Sequence, residues 1–311
     1  MPETIARETL FLHNAEMGLG AWAWGDRTMW NYGHGYTDTD IEQAFQTSLA
    51  AGVNLVDTAE VYGSGRSERF LGQFVKAAAT PVLTATKFMP FPWRLDRGAL
   101  MRSLDHSLER LGLERVDLYQ IHWPFPPMPV EFWVEELAQA VKSGKTRTAG
   151  VSNYNKTQMQ RAYTILSKYD IPLASNQVEY HLLNRTVEKN GLLDRCKELG
   201  VRLIAYSPLA KGLLTGKYSN DNPPPGLRAR IFASALKDLP KLVSVMTEIG
   251  QGHGGKTPGQ VALNWLICKG ALPIPGAKNA RQAEQNAGAI GWRLTPEEVQ
   301  SLDEASDQFT K

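Results

Sequence analysis

Four residues in this chain have the types and spacing for acid–base chemistry at a carbonyl. Asp57 and Tyr62 lie in Asn54-Leu55-Val56-Asp57-Thr58-Ala59-Glu60-Val61-Tyr62-Gly63, Lys87 ends Pro81-Val82-Leu83-Thr84-Ala85-Thr86-Lys87, and His122 ends Val116-Asp117-Leu118-Tyr119-Gln120-Ile121-His122. A tyrosine with an ordinary pKa of about 10 is a poor acid near neutrality unless something depresses it. A cationic Lys87 beside Tyr62 would favour the phenolate and lower that pKa. Tyr62 could then give a proton to a carbonyl oxygen that is becoming an alkoxide. Asp57 would keep the lysine charged and in place, and His122 would orient the carbonyl and stabilise developing charge. None of the four is a hydride source, so the reductant must be a cofactor. No metal is needed: the six histidines include no close helix-borne pair, and His122 has no neighbouring ligand.

Such residues act together only if the fold brings them together. Val53, Leu55 and Val56 form an apolar run too short for a helix, ending at Asp57, so a buried strand is expected there. Similar runs end near residues 20, 57, 87, 122, 150, 177, 206 and 275. Helical patterns follow them. One opens at Asp38-Thr39-Asp40, capped by Asp38 or Thr39, and runs to about Ala51; others cover Ser67 to Lys76, Leu100 to Leu111 with Asp96 as cap, Pro129 to Gly144, and Lys156 to Lys168. Eight βα units in one chain argue for a (β/α)8 barrel, a TIM barrel of class α/β, as a single domain over 1–311. Extra helices are expected after the seventh strand and, capped by Thr295 with Glu298, at the C-terminus. A doubly wound open sheet is the rival, but no glycine-rich phosphate loop follows the first strand.

A barrel of this kind places the C-terminal ends of its strands around one active site. Asp57, Tyr62, Lys87, His122, Ser152, Asn153, Gln177 and Tyr206 all fall there. Singly, Asp57 could be a turn cap, Tyr62 a packed amphipath, Lys87 a solvated loop charge and His122 a satisfied core histidine. One fold hypothesis that gathers them all outweighs the separate readings.

The 311 residues carry 42% hydrophobic side chains and a net charge of +2 with both signs interspersed, which excludes an evident nucleic-acid surface. No apolar run approaches a membrane span of about 20 residues, and residues 1–10 do not look like a secretory signal. Cys196 and Cys268 match no metal spacing and read as reduced thiols. A cytoplasmic setting follows, or a plastid stroma for a processed plant chain, with monomer as the default state.

The motifs together resemble the aldo-keto reductases, along essentially the whole chain from Met17-Gly18-Leu19-Gly20 to Trp292-Arg293-Leu294-Thr295. Besides the runs above, they include Gln120-Ile121-His122-Trp123-Pro124, Gly150-Val151-Ser152-Asn153-Tyr154, Asn176-Gln177-Val178-Glu179-Tyr180, Tyr206-Ser207-Pro208-Leu209-Ala210-Lys211-Gly212 and Ile274-Pro275-Gly276-Ala277-Lys278. The segment through Gln285-Asn286 and Gly291-Trp292 is most similar to cyanobacterial and plastid-type members. The resemblance implies NADPH-dependent reduction of aldehydes or ketones, with Asp57, Tyr62, Lys87 and His122 matching the catalytic tetrad. It further implies that Ser152, Asn153 and Gln177 hold the nicotinamide carboxamide and that Tyr206 stacks on its ring. Ser207, Leu209, Lys211 and Gly212 would take the pyrophosphate, with Gly20, Ala21, Trp22 and Asp57 bordering the cofactor. Gly276, Lys278, Gln282, Gln285 and Asn286 would hold the adenosine end, Lys278 and nearby Arg281 favouring a 2′-phosphate. Gly276-Ala277 stands where some branches carry a lysine-serine pair.

Trp22, Tyr62, His122 and Trp123 are the expected substrate contacts, with Trp24, Trp30, Phe125 and a loop around Ile231 and Phe232 as further walls for an apolar or aromatic aldehyde. Asp26–Gly35 reads as a mobile loop over the mouth, and Pro223-Pro224-Pro225-Gly226 as a surface loop or lid. Gly250-Gln251-Gly252-His253-Gly254-Gly255-Lys256-Thr257 fits a phosphate-loop pattern. Helical spacing before it and Thr257-Pro258 after it make it a turn between helices. An ATP-using protein is thereby disfavoured. The other alternative is an NADPH-binding redox sensor or regulatory subunit with little turnover.

Overall fold

The computed structural model describes residues 6–224, 230 and 233–309. Eight strands form one sheet in sequence order: β1 Leu19–Gly20, β2 Leu55–Asp57, β3 Leu83–Phe88, β4 Val116–Ile121, β5 Thr146–Ser152, β6 Leu173–Glu179, β7 Arg202–Tyr206 and β8 Leu272–Pro273. All seven neighbouring pairs are parallel. The sheet closes on itself where Gly18 N donates to Pro273 O at 3.0 Å and Gly20 N donates to Pro275 O at 3.1 Å, with a parallel bridge between Gly20 and Gly276. Gly20 is required at this seam, since a Cβ there would meet Ile274 O at 2.8 Å. This is the expected (β/α)8 barrel, its strand ends within a few residues of those read from the sequence.

The strands are buried on both faces because helices cover the outside and side chains fill the inside. Inside, Leu55, Ala85, Leu118, Ala174, Ile204 and Leu272 each come from a different strand and make one packed layer. Leu12, on the short helix Leu10–Asn14, completes that layer and is fully buried. The sequence reading had no role for this helix.

Helix starts follow local chemistry. The helix Asp38–Ala50 is capped by Thr37, not by Asp38 or Thr39, in a reciprocal box with Asp40. The helix Ala99–Leu111 is capped by Gly98 in a left-handed conformation, while the Asp96 carboxylate pairs with Arg102. Between β7 and β8 the described residues include the extra helices Ala233–Gly252 and Pro258–Cys268, and Pro296–Ser306 follows near the C-terminus. The apparent phosphate loop is the turn between the first two of these: Thr257 caps the second with Gln260, and Lys256 Nζ donates to Gly288 O. Pro223 and Pro224 are loop residues. Pro225, Gly226, Ile231 and Phe232 lie outside the described residues, and with them half of the expected lid and one expected pocket wall.

Candidate active site

The ends of β2, β3 and β4 bring Asp57, Lys87 and His122 together, and the turn after β2 adds Tyr62. Lys87 is fully buried and donates to the Asp57 carboxylate, to Thr58 O at 2.7 Å and to the Tyr62 hydroxyl at 3.3 Å. All three ammonium protons are thereby placed. Tyr62 is half-buried, with its ring edge-on to His122 at 5.7 Å and tilted against Trp22 at 6.2 Å.

Burial disfavours the Lys87 charge, but Asp57 and Tyr62 beside it outweigh that, and its pKa lies above the ordinary lysine value. Burial pushes the Tyr62 phenol up; Lys87 pulls it down, and Asp57 adds to the rise. The net direction is upward, opposite to the depression expected from the lysine alone: desolvation of the phenolate wins. Burial, reinforced by Lys87, holds His122 well below its ordinary value, so the imidazole is neutral near pH 7. Its Nδ1 is buried and has no hydrogen-bond partner among the described residues. A neutral imidazole donates one N–H and carries no charge of its own into the pocket.

A polar layer beneath the tetrad went unrecognised in the sequence. Gln120 and Gln177 both donate to the second Asp57 oxygen, at 3.1 and 2.9 Å, and so leave its other oxygen to Lys87. The Gln177 amide therefore faces Asp57 as well as lying at the end of β6. The signal for Gln120 was its inward register in β4, two residues before His122. On the next strands Ser152 Oγ donates to Gln177 O at 2.8 Å, Asn153 Nδ2 donates to His122 O at 3.0 Å, and Tyr206 OH donates to Asn153 Oδ1 at 3.0 Å.

The residues expected to hold the cofactor lie near the ends of β5, β6 and β7 and on either side of the β1–β8 seam. After β7, Ser207, Ala210 and Lys211 adopt left-handed backbone, and Gly212 follows at φ 97°. Non-glycine residues rarely do this, and clusters of them mark functional turns. Successive N–H groups in such turns converge on an anion. Leu209 opens the same turn. Gly276 O accepts from Asn286 Nδ2, and Lys278 N donates to Gln282 Oε1 at 2.9 Å, so these residues, expected at the adenosine end, brace one another. Gln285 lies on the same helix, Ala280–Ala287, and Gly20, Ala21 and Trp22 border the seam opposite. A cavity of about 300 Å³ lies between Trp30, Tyr36 and Lys278.

Two expectations about the mouth change. Trp24 is core: it is fully buried against Phe45 and Phe74, and its Nε1 donates to Ala277 O at 3.1 Å. The Asp26–Gly35 segment is anchored rather than loose. Asp26 Oδ1 accepts from the backbone of Thr28 and Met29, Trp30 O accepts from Lys278 Nζ at 3.1 Å, and the Tyr36 hydroxyl beside it donates to Ala23 O. Trp22, Trp30 and Trp123 are partly exposed, and Trp123 stacks on the exposed Phe125 at 5.3 Å.

Known proteins resemble this chain in sequence and fold. The sequence model of the aldo/keto reductase family matches residues 16–307. The chloroplastic pyridoxal reductase of Arabidopsis thaliana is 41% identical over 308 residues, covering 95% of this chain and 84% of that protein. A glycerol dehydrogenase from Gluconobacter oxydans superposes with a TM-score of 0.81 at 28% identity, covering 94% of this chain and 92% of that one. An aldo-keto reductase from Klebsiella pneumoniae, solved in complex with NADPH, superposes with a TM-score of 0.74 at 29% identity, covering 93% and 90%. With a family match over most of its length and a barrel that superposes on solved members, this chain is an oxidoreductase of the aldo/keto reductase family.

Proposed function

We propose that the protein reduces aldehydes, and ketones of similar shape, to alcohols with NADPH, and that Tyr62 is the proton donor. The observation that carries this reading is the buried Asp57–Lys87 pair ending 3.3 Å from the Tyr62 hydroxyl. When bound, the reduced nicotinamide supplies a hydride to the carbonyl carbon. Tyr62 gives its proton to the carbonyl oxygen, so the product gains one hydride and one proton and the phenolate is left beside Lys87. Because burial holds Tyr62 protonated, the acid form is the one present at neutral pH. Lys87 stabilises the phenolate only as it forms, which is where stabilisation accelerates a reaction. Neutral His122 orients the carbonyl by a hydrogen bond. The Ser207–Gly212 turn would hold the pyrophosphate, Ser152, Asn153 and Gln177 the carboxamide, Tyr206 the ring, and Lys278 with Gln282 the adenosine end.

The substrate we propose is a planar aromatic aldehyde, of the class to which pyridoxal belongs. Trp22 and the parallel Trp123–Phe125 pair support that shape, since flat aromatic rings stack on flat walls. The test is loss of NADPH absorbance with pyridoxal and a panel of aromatic and aliphatic aldehydes, with Tyr62→Phe alongside. Turnover favouring aromatic aldehydes and vanishing in the variant is expected. Full turnover in Tyr62→Phe would overturn the proton-donor role, and tight NADPH binding without turnover on any aldehyde would favour a sensor.

A further inference from the structure

We propose that Glu60 and Arg94 form a clamp that positions Tyr62 against Lys87 and ties the proton donor to an exposed aromatic step beside the end of β3. The inference rests on the reading of Tyr62 as the acid. Glu60 stands two residues before Tyr62, and its carboxylate is only 9% exposed. It accepts from Arg94 Nη1 at 2.6 Å, Arg94 Nη2 at 3.1 Å, Met89 N at 2.6 Å and the Ser103 hydroxyl. Three segments therefore meet on one side chain: the turn that carries Tyr62, the chain leaving β3 just past Lys87, and the helix Ala99–Leu111. The Glu60 amide adds a contact to Lys87 O at 3.4 Å.

This is more than a surface ion pair needs. An exposed pair gains little, whereas a bidentate, largely enclosed carboxylate with four donors is fixed in direction. The turn it holds requires fixing, because Gly63 and Ser64 after Tyr62 both adopt left-handed backbone, at φ 55° and 57°. The Lys87–Tyr62 contact of 3.3 Å spans two strand exits. The clamp is a further polar link between those exits, through Met89 and Arg94.

Arg94 also faces outward. Its Nη1 donates to Met89 O at 2.8 Å, and its guanidinium lies over Phe88 at 4.9 Å and Phe91 at 5.3 Å. Phe91 in turn stacks on Trp93 at 4.6 Å, and Trp93 is 72% exposed. The same guanidinium that fixes Glu60 thus holds an exposed aromatic step next to the β3 exit. Glu60 and Arg94 are positioning residues: neither touches the reacting atoms.

The test compares wild type, Glu60→Ala, Glu60→Gln, Arg94→Gln and Tyr62→Phe for kcat and KM with an aromatic aldehyde, NADPH affinity by fluorescence, and the pH dependence of kcat. Glu60→Ala is expected to lose about a hundredfold in kcat, the scale of a misplacement near 1 Å, with NADPH affinity unchanged. Its alkaline limb should move to higher pH, because a more distant Lys87 pulls less on the phenol. Glu60→Gln keeps an acceptor oxygen and should recover part of kcat. Arg94→Gln should also raise KM for the aromatic aldehyde, and it carries the test if Glu60→Ala does not fold. Wild-type kcat in Glu60→Ala and Arg94→Gln, with Tyr62→Phe inactive, would overturn the clamp and leave the proton donor standing. So would a fall in kcat matched by an equal fall in NADPH affinity, with no movement of the alkaline limb and no rescue by glutamine. Full activity in Tyr62→Phe would remove both.

Discussion

Replacing Asp57 by asparagine leaves a full positive charge inside the barrel without its carboxylate partner. The Lys87 side chain is fully enclosed and that of Asp57 is 5% exposed, so water cannot stand in for the carboxylate. Thr58 O and the Tyr62 hydroxyl remain as neutral partners. Breaking a buried pair from one side costs about 3–5 kcal/mol, and at roughly 2–4 °C per kcal/mol for a large domain Tm should fall by about 6–20 °C at pH 7. The pH dependence has a definite sign. In the wild type the Lys87 pKa is raised, so the pair's contribution is fully present below the unfolded lysine value of about 10.4 and is lost as pH rises through the folded value. In Asp57→Asn, burial alone holds Lys87 below about 10.4, so the variant gains stability as pH rises toward that value. The gap in Tm between the two proteins should therefore shrink between about pH 7 and pH 10. Asp57→Asn/Lys87→Met, which buries no charge, should regain most of the loss. Thermal scans by circular dichroism at the two pH values measure this. A gap below about 2 °C at pH 7, or one that stays constant with pH, would refute the reasoning, since a kcal/mol or less is the scale of an exposed pair.

Lys278→Met should weaken NADPH by about tenfold or more, the scale of one charged hydrogen bond, and leave NADH nearly unchanged; fluorescence titration with both cofactors decides it. Leu12→Ala opens a hole in the barrel's inner layer and should cost about 2–5 kcal/mol, visible as a lower denaturation midpoint with kcat intact; a loss of kcat at unchanged stability would contradict its packing role. His122 is already neutral near pH 7, because burial and then Lys87 hold its pKa far down. Turnover should accordingly show no histidine-like step between about pH 7 and pH 6, and a step there in wild type that disappears in His122→Gln would count against the neutral imidazole.

The strand ends and the tetrad were legible in the sequence because each is local. A short apolar run followed by Asp57, Lys87 or His122 carries its own boundary, and a barrel maps every such boundary to one rim. What failed to show was what depends on a partner distant in sequence. Gln120 reads as one more polar residue until Asp57, 63 positions away, is seen to accept from it. Glu60 and Arg94 are 34 positions apart and give no sign of each other. Trp24 looked like its neighbour Trp22, yet it turns inward onto Phe45 and Phe74. Asp96 looked like a helix cap, but Arg102 takes its carboxylate and left-handed Gly98 starts the helix instead. The direction of the Tyr62 shift depended on how deeply the phenol is enclosed, which spacing cannot reveal.

The seam between β1 and β8 has a thermodynamic meaning of its own. Those two strands are two residues each, whereas β5 and β6 have seven, so the hoop is thinnest where it is fastened. The residues proposed for the cofactor stand on both sides of that join, Gly20 to Trp22 on one and Gly276 to Lys278 on the other. A ligand that grips both ends of an open hoop acts as its clasp. Any state in which the ends part binds it poorly, so occupancy draws the population toward the closed ring. Reciprocally, parting of the ends loosens the ligand. Cofactor affinity and opening at that join would then be two readings of one coupling.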